Sequence, residues 1–221
     1  MSVVAARLAC MGKNAEPSGR SGHSGREKYL LFWGHAPRRD GTLGASCLSQ
    51  WWPSPFTVDG VEYATAEHWM MAGKARLFGD EEAERAVLEA ANPALAKKAG
   101  RLVREFDETV WERERLGIVV RGSVHKFGQD AALRGFLLAT GDRILVEASP
   151  MDRIWGIGLA SDDERALDPA RWRGLNLLGL ALMEARERLR TEAGTGTATE
   201  TETETETGSV AATPGSAGSS G

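Results

Sequence analysis

The stretch YATAEHWMMAGKARLFGD, residues 63–80, places Glu67 and Lys74 seven residues apart. In a helix, positions 67, 70, 71 and 74 fall on the i, i+3, i+4, i+7 stripe that normally faces a core. Glu67 and Lys74 would then close the two ends of an apolar stripe, about 10 Å apart along the axis at ~1.5 Å per residue. A carboxylate and an amine are group types that proton transfer and nucleophilic attack use, so the stripe is a candidate site.

A second candidate group lies where a strand-like run ends. The run RILVEAS (143–149) contains Glu147 and leads directly into SPMDRIWGIG, which carries Asp152 and Trp155. Loops held by a rigid strand concentrate functional residues. The Gly-x-Gly at 156–158 is not a dinucleotide fingerprint, because it has neither a third glycine nor a strand-to-helix context. The sequence also shows no P-loop, no Cys/His zinc spacing and no Gly-x-Ser-x-Gly, so neither a metal nor a cofactor is expected.

Tryptophan is unusually frequent, with seven Trp against two Tyr. Five of them lie near the candidate motifs: Trp33, Trp51, Trp52, Trp69 and Trp155. Indole faces can stack on a heterocycle, which is worth ~1–3 kcal/mol per base in single-strand binders. The alternative is that each Trp fills the core. Trp155, in a glycine-rich loop beside Asp152, is the strongest candidate for stacking.

Each candidate charge also has a structural interpretation. Glu67 could form an exposed salt bridge, worth only ~0.3–0.5 kcal/mol. Lys74 could extend its ammonium group to solvent. Glu147 could be a solvent-facing strand residue, since strand alternation places Leu145 and Glu147 on the same face.

The elements that must position these residues are mainly helices. Strand-like runs lie at 28–33, 143–149 and 56–63, and the last of these contains Asp59-Gly60, a strong hairpin signal. Helices are predicted from Thr65, Asp80, Asn92-Pro93 and Asp107, followed by helices in AALRGFLLAT and over 176–190. The expected fold class is α+β, a helix-dominated single domain with a few short strands.

The two ends of the chain have the composition of tails. Residues 11–26 are small, polar and rich in Gly and Ser, and residues 192–221 are acidic and low in complexity, so disordered tails are predicted over 1–26 and 192–221. A single domain is predicted over 27–191. Of the formal net charge of −4, the C-terminal tail contributes −5 and the N-terminal tail +3, which leaves −4 + 5 − 3 = −2 for residues 27–190. Strong non-specific nucleic-acid binding is therefore not expected.

Two cysteines, Cys10 and Cys47, make neither a disulfide framework nor a metal cluster, which favours a reducing, cytoplasmic setting. No stretch approaches the ~20 apolar residues of a membrane span, so no membrane partner is expected. The oligomeric state is left open.

Together these segments resemble the NADAR superfamily of YbiA-like proteins. The matching blocks are LSQWWPSPF (48–56), DGVEYATAEHWMMAGKA (59–75), KFGQD (126–130), LLATGDRILVEAS (137–149), DRIWGIG (152–158) and GLNLLGLALMEAR (174–186). They follow the family order over nearly the whole 27–191 domain. Many relatives read Leu-Ser-Asn-Phe where this chain has Leu48-Ser49-Gln50-Trp51, so Trp51 changes one wall of the expected binding site.

The resemblance implies a YbiA-like fold and cleavage of an N-glycosidic bond to ribose, without a metal. One branch of the family resembles enzymes that hydrolyse the first ribosylamino-pyrimidine intermediates of riboflavin biosynthesis and release ribose 5-phosphate. Another branch removes ADP-ribose from modified guanine in nucleic acid. The near-neutral domain favours the small-molecule branch, with nucleic acid only as an ADP-ribosylated substrate. A non-catalytic module that binds ADP-ribose or NAD is the alternative of a different class.

Breaking the C1–N bond builds positive charge on the sugar, so a carboxylate must face C1 or activate water there. The resemblance makes Glu67 and Asp152 the candidate base and charge stabiliser, with the division between them open. Lys74 is either a phosphate or ribose ligand or a nucleophile that forms a Schiff base with the ring-opened sugar. Trp155 would stack on the heterocycle. Asn176, near the start of the last helix, is a candidate phosphate or ribose contact.

Four further substrate contacts follow from the same resemblance. Trp51, Glu147, Lys126 and Gly156 each lie in one of the matching blocks. They complete the set of candidate binding residues.

Overall fold

Six α-helices contain nearly half of residues 28–200, the part of the chain that the computed structural model describes. They are α1 (Ala66–Leu77), α2 (Glu81–Leu88), α3 (Pro93–Gly100), α4 (Glu108–Gly128), α5 (Ala131–Ala139) and α6 (Leu177–Glu200). Helix α1 packs against α2, α3 and α4, and α6 packs against α4. The predicted α+β fold, dominated by helix, is confirmed.

Polar side chains at the helix starts explain why these segments fold locally as they do. The N-cap residues of α1 to α5, whose side chains each accept a first-turn backbone N–H, are Thr65, Asp80, Asn92, Asp107 and Asp130. Such a cap contributes about 1 kcal/mol of helix stability. The helix starts predicted at 65, 80, 92 and 107 are therefore confirmed with their capping chemistry.

The strands form two separate pairs. Strands β2 (Phe56–Val58) and β3 (Val61–Tyr63) make an antiparallel hairpin, in which Asp59 and Gly60 have φ of 50° and 79°. Two positive φ values are what a type I′ turn requires, and this confirms the predicted hairpin.

Strands β1 (Tyr29–Phe32) and β4 (Ile144–Glu147) pair in parallel, with Phe32 opposite Glu147. Because parallel strands end at the same edge, the chain after Phe32 and the chain after Glu147 leave the sheet side by side. Helix α6 packs against β4. The carboxyl edge of this pair brings two distant parts of the chain to the candidate site.

The last helix extends beyond its predicted end. The predicted end at Arg190 falls ten residues short of the observed end at Glu200, because each residue added to a formed helix gains a backbone hydrogen bond. The predicted N-terminal tail, 1–26, and residues 201–221 of the predicted C-terminal tail lie outside the described residues. Within residues 28–200, no helix combines the length and the apolar character needed to cross a membrane.

Candidate functional site

A cleft with two adjoining lobes, which share part of their wall, lies between α1, α3 and the carboxyl edge of the β1–β4 pair. The first lobe has a volume of about 320 Å³ and the second about 500 Å³. The residues that line both lobes are Glu67, Met70, Lys97, Asp152 and Trp155. The first lobe is aromatic, because Trp33, His35 and Trp51 also contribute to its wall.

The stripe predicted on α1 lines this cleft. Glu67, Met70, Met71 and Lys74 all face the second lobe. The two methionines are nearly buried against the core, with exposures of 3% and 7%. The stripe can carry a charge at each end because this face of the helix borders a cleft, with the two methionines between Glu67 and Lys74.

Glu67 is held rigidly at the junction of the lobes and is 2% exposed. Its backbone N–H donates to the Gln50 carbonyl over 3.0 Å, and its Oε2 accepts the indole N–H of Trp51 over 3.2 Å. The second oxygen, Oε1, is buried without a hydrogen-bond partner. Burial raises the pKa of Glu67 to about 7, against the attraction of the Lys97 ammonium and the Trp51 hydrogen bond.

Glu147 closes the first lobe from the end of β4. Its backbone N–H donates to Asn176 Oδ1 over 3.0 Å, and its carbonyl accepts the N–H of Ile157 over 3.0 Å. Its Oε2 is buried without a partner. Burial, and then the charge of Asp152, raise the pKa of Glu147 to about 8.

Asp152 and Trp155 sit together in a tight turn. Asp152 Oδ1 accepts the backbone N–H of Ile154 over 2.9 Å and that of Trp155 over 2.7 Å. This turn points both side chains at the two lobes. Asp152 and Trp155, which were predicted as site residues together with Glu67, line the same two lobes as Glu67.

The acids of the cleft act on one another electrostatically. The charge of Asp152 raises the pKa of both Glu67 and Glu147, and the charge of Lys97 lowers both. Burial thus brings the pKa of both glutamates close to neutral pH, with that of Glu147 the higher. Carboxyl groups with pKa values in this range can serve as proton donors and proton acceptors at neutral pH.

No metal centre is formed by the acids of the cleft. Within the part of the chain that the structure describes, no three His, Cys, Asp or Glu side chains are grouped so as to hold a metal ion.

Lys74 lines the second lobe, but its amine already has partners. Its Nζ donates to the Gly100 carbonyl over 3.0 Å and lies 4.0 Å from the ring centroid of Phe106. Partial burial lowers the pKa of Lys74, and Glu108 opposes that effect. The amine thus lines the cleft and also bonds the last carbonyl of α3.

Lys126, one of the predicted substrate contacts, lines neither lobe. It is 2% exposed, and its Nζ donates to the carbonyls of Cys47 and Ser49 over 2.7 and 2.8 Å. Burial lowers the pKa of Lys126 to about 7. These bonds hold the segment that carries Trp51, which in turn donates to Glu67, so Lys126 supports the site from behind.

Asn176 and Gly156 also lie behind the cleft. Asn176 is 1% exposed, and its amide bonds the Leu145 carbonyl and the Glu147 N–H along the edge of β4 that β1 leaves open. A Cβ on Gly156 would lie 2.9 Å from the Glu147 carbonyl oxygen, so only glycine allows this approach of loop and strand. Both residues position Glu147 rather than contact the cleft.

Replacing Lys126 with Met is expected to destabilise the fold by about 3 kcal/mol, because two buried carbonyls lose their donor. The melting temperature should fall by roughly 6–12 °C, which thermal unfolding of the full chain would measure. Lys98→Met, at an exposed lysine, is the matched control and should stay close to wild type. An unchanged melting temperature with a raised KM would instead support Lys126 as a substrate contact.

Several residues of the cleft were not predicted from the sequence. Lys97, Arg101 and Arg153 line it, and Lys97 also lies 6.0 Å from the ring centroid of Trp51. The sequence signal at Lys97-Lys98 was only a local pair of charges. Nothing in helix α3 alone distinguishes the lysine that faces Glu67 from the one that faces solvent.

Comparison with known proteins agrees with this architecture. The NADAR domain family matches residues 31–190. An N-glycosidase of Acanthamoeba polyphaga mimivirus is 40% identical over 166 residues, covering 73% of this chain and 96% of the viral protein. The Caenorhabditis elegans protein irg-1 is 35% identical over 164 residues, covering 66% of this chain and 77% of that protein.

Bacterial relatives show the same similarity in sequence and in structure. N-glycosidase YbiA of Escherichia coli is 33% identical over 138 residues, covering 62% of this chain and 78% of YbiA. The NMR structure of Escherichia coli YbiA superposes with a TM-score of 0.58 at 28% identity, over 75% of this chain and 90% of YbiA. By sequence and by fold, this chain belongs to the NADAR domain family.

Proposed function

We propose that this protein is an N-glycosidase that hydrolyses the C1–N bond of ribosylamino-pyrimidine intermediates of riboflavin biosynthesis and releases ribose 5-phosphate. Relatives named N-glycosidases support the reaction class. The observation that carries the proposal is the pair of carboxyl groups of Glu67 and Glu147, which line the first lobe and each keep one buried oxygen without a hydrogen-bond partner. Their pKa values, about 7 and about 8, suit a proton acceptor and a proton donor at neutral pH.

The reaction divides among three carboxyl groups. As the C1–N bond breaks, the protonated Glu147 gives its proton to the leaving amine, and Asp152 stabilises the positive charge that develops at C1. Glu67 takes a proton from the water whose oxygen bonds to C1. The products are the free amine and the free sugar, and both glutamates recover their starting states by exchanging protons with solvent.

The heterocycle fits the aromatic first lobe. Trp33 is 63% exposed at its wall, and Trp51 is fixed by its bond to Glu67. Trp155, which lines both lobes, stacks on the heterocycle close to the junction where the acids meet. This orientation brings the C1–N bond to Glu67 and Asp152.

Lys74 serves as a binding cation in this mechanism and not as a covalent nucleophile. Its ammonium is engaged by the Gly100 carbonyl and the Phe106 ring, so we assign it to binding, although partial burial lowers its pKa toward the neutral form that a nucleophile needs. Borohydride added during turnover is therefore expected to leave Lys74 unmodified, as read by peptide mass spectrometry. A ribityl adduct on Lys74 would replace the hydrolytic mechanism with a Schiff base.

A second candidate function is removal of ADP-ribose from guanine in nucleic acid. The volume of the second lobe, about 500 Å³, and its cationic lining favour it, because a diphosphate would also fit there. The full chain should be offered the two pyrimidine intermediates and an ADP-ribosyl-guanine oligonucleotide side by side. Prompt ribose 5-phosphate release from the pyrimidines supports the proposal. Release only from the oligonucleotide, with a steep dependence on salt, replaces it with the second function.

A further inference from the structure

We propose that the second lobe is an anion subsite that binds the phosphate group of the substrate, with Arg101 and Arg153 as its contacts. The proposal rests on the N-glycosidase function proposed above and assigns residues that the sequence did not single out. It requires a substrate whose sugar carries a phosphate group on the side away from the heterocycle.

The lining of the second lobe is strongly asymmetric in charge. Four cations line it: Lys74, Lys97, Arg101 and Arg153. Its two acids, Glu67 and Asp152, both lie at the junction with the first lobe. The part of the second lobe away from the junction therefore carries cationic side chains and no carboxylate.

None of the four cations forms a close ion pair with a carboxylate of the described residues. Among the residues that the structure describes, ion pairs within 4.0 Å involve other arginines, and none of them includes these four side chains. Cations that converge on a cavity without a protein counter-ion create a positive potential there. A phosphate group is the anion that such a cavity suits.

The arginines have the free donors that this role needs. Lys74 uses its ammonium on the Gly100 carbonyl, where it offsets the negative end of the α3 dipole that would otherwise repel an anion. Arg101 follows immediately as the C-cap of α3, and no hydrogen bond of its guanidinium to another described residue is formed. A planar guanidinium binds phosphate oxygens in pairs, so Arg101 can hold a phosphate next to the carbonyl whose partial negative charge Lys74 offsets.

Arg153 approaches the lobe from a fixed backbone. Its carbonyl accepts the N–H of Leu175 over 3.0 Å, and a Cβ on Gly174 would lie 2.7 Å from its Cα. The neighbouring Asp152 turn holds the same loop. Because this loop is already anchored, binding of an anion by the Arg153 guanidinium needs little further ordering of the backbone.

The two-lobed cleft then orients the substrate. The heterocycle occupies the first lobe with Glu147, C1 lies at the junction with Glu67 and Asp152, and the phosphate occupies the second lobe. Binding energy from the remote phosphate can hold C1 in place for the reaction, which is how non-reacting groups of a substrate raise turnover.

The test is calorimetric binding of ribose 5-phosphate and of unphosphorylated ribose to the full chain, without turnover. Arg101→Ala and Arg153→Gln are each expected to weaken ribose 5-phosphate binding about tenfold or more and to leave ribose binding unchanged. Lys98→Ala, at an exposed lysine next to the lobe, is the matched control and should change neither affinity by more than twofold. Both arginines are exposed, and circular dichroism would verify that the variants fold.

Equal affinity of wild type and both arginine variants for ribose 5-phosphate would overturn the subsite. Hydrolysis assays on phosphorylated and dephosphorylated substrates separate this result from failure of the proposed function. Arginine-dependent binding without hydrolysis of any offered substrate would retain the subsite and reject the N-glycosidase proposal. Equal hydrolysis of both substrate forms would retain the glycosidase and reject the subsite.

Discussion

Replacing Glu67 with Gln is expected to lower kcat about 10³-fold while the affinity for ribose 5-phosphate stays within a few-fold of wild type. Gln keeps the shape of the side chain and can still accept the Trp51 indole N–H, but it cannot take a proton from the attacking water. Steady-state kinetics with the pyrimidine substrate and product calorimetry would measure the two effects.

Glu62→Gln is the matched control, because Glu62 is an exposed residue of β3 just before the same helix. Its kcat should equal that of wild type. A Glu67→Gln enzyme with unchanged kcat would remove Glu67 from the mechanism. Absence of turnover in the wild-type chain, together with tight ligand binding, would favour a non-catalytic module that binds ADP-ribose or NAD.

Replacing Glu147 with Gln is expected to change the pH dependence of catalysis as well as its rate. In the wild type, kcat/KM should rise with the ionisation of Glu67 near pH 7 and fall with the ionisation of Glu147 near pH 8. These limbs belong to the coupled pair. In Glu147→Gln, kcat should fall about 10²-fold and the alkaline limb should disappear. Initial rates between about pH 5.5 and 9.5, a range that brackets both pKa values, would measure both effects.

The leaving group offers a second check on the role of Glu147. A substrate whose leaving group departs as a stable anion needs no proton, so the defect of Glu147→Gln should shrink on it, as expected for a general acid. Glu81→Gln, at an exposed residue of α2, should retain the wild-type profile. An alkaline limb that persists in Glu147→Gln would assign that limb to another group.

The same substitution should stabilise the fold at high pH. The folded-state pKa of Glu147 is about 8, above the 4.5 of a free glutamate, so the folded state holds a proton that the unfolded state has released. The resulting stabilisation is fully present below pH 4.5 and is lost as the pH rises through about 8. At pH 9 the buried carboxyl group of wild-type Glu147 is ionised, so Glu147→Gln should have a higher melting temperature than wild type. A cooperative melting transition would also verify that the variant is folded.

Short-range patterns were sufficient for much of the local structure. The capping residues before α1 to α4, the Asp59-Gly60 hairpin and the stripe from Glu67 to Lys74 are all set by neighbours within a few residues. Such signals predict which element forms and which side chains share a face. They singled out Glu67 with Lys74 and Asp152 with Trp155 as two separate groups, and only the resemblance to the NADAR superfamily joined these groups in one site. In the structure all four side chains line the same cleft.

Contacts between distant parts of the chain decided the rest. From the sequence, Lys126 and Asn176 were among the candidate substrate contacts. In the structure, the Lys126 ammonium bonds carbonyls 77 and 79 residues away, and the Asn176 amide bonds backbone groups 29 and 31 residues away. Nothing in the sequence distinguishes Lys97, which faces Glu67, from its neighbour Lys98.

The sequence by itself determined the helices, the hairpin and the types of group available for catalysis, because these depend on local backbone and capping chemistry. Only the tertiary structure decided which carboxyl groups lose water and which cations face them. The pKa values of Glu67 and Glu147 arise mainly from burial by segments far along the chain. Burial is a property of packing in three dimensions, and no local pattern of residues contains it.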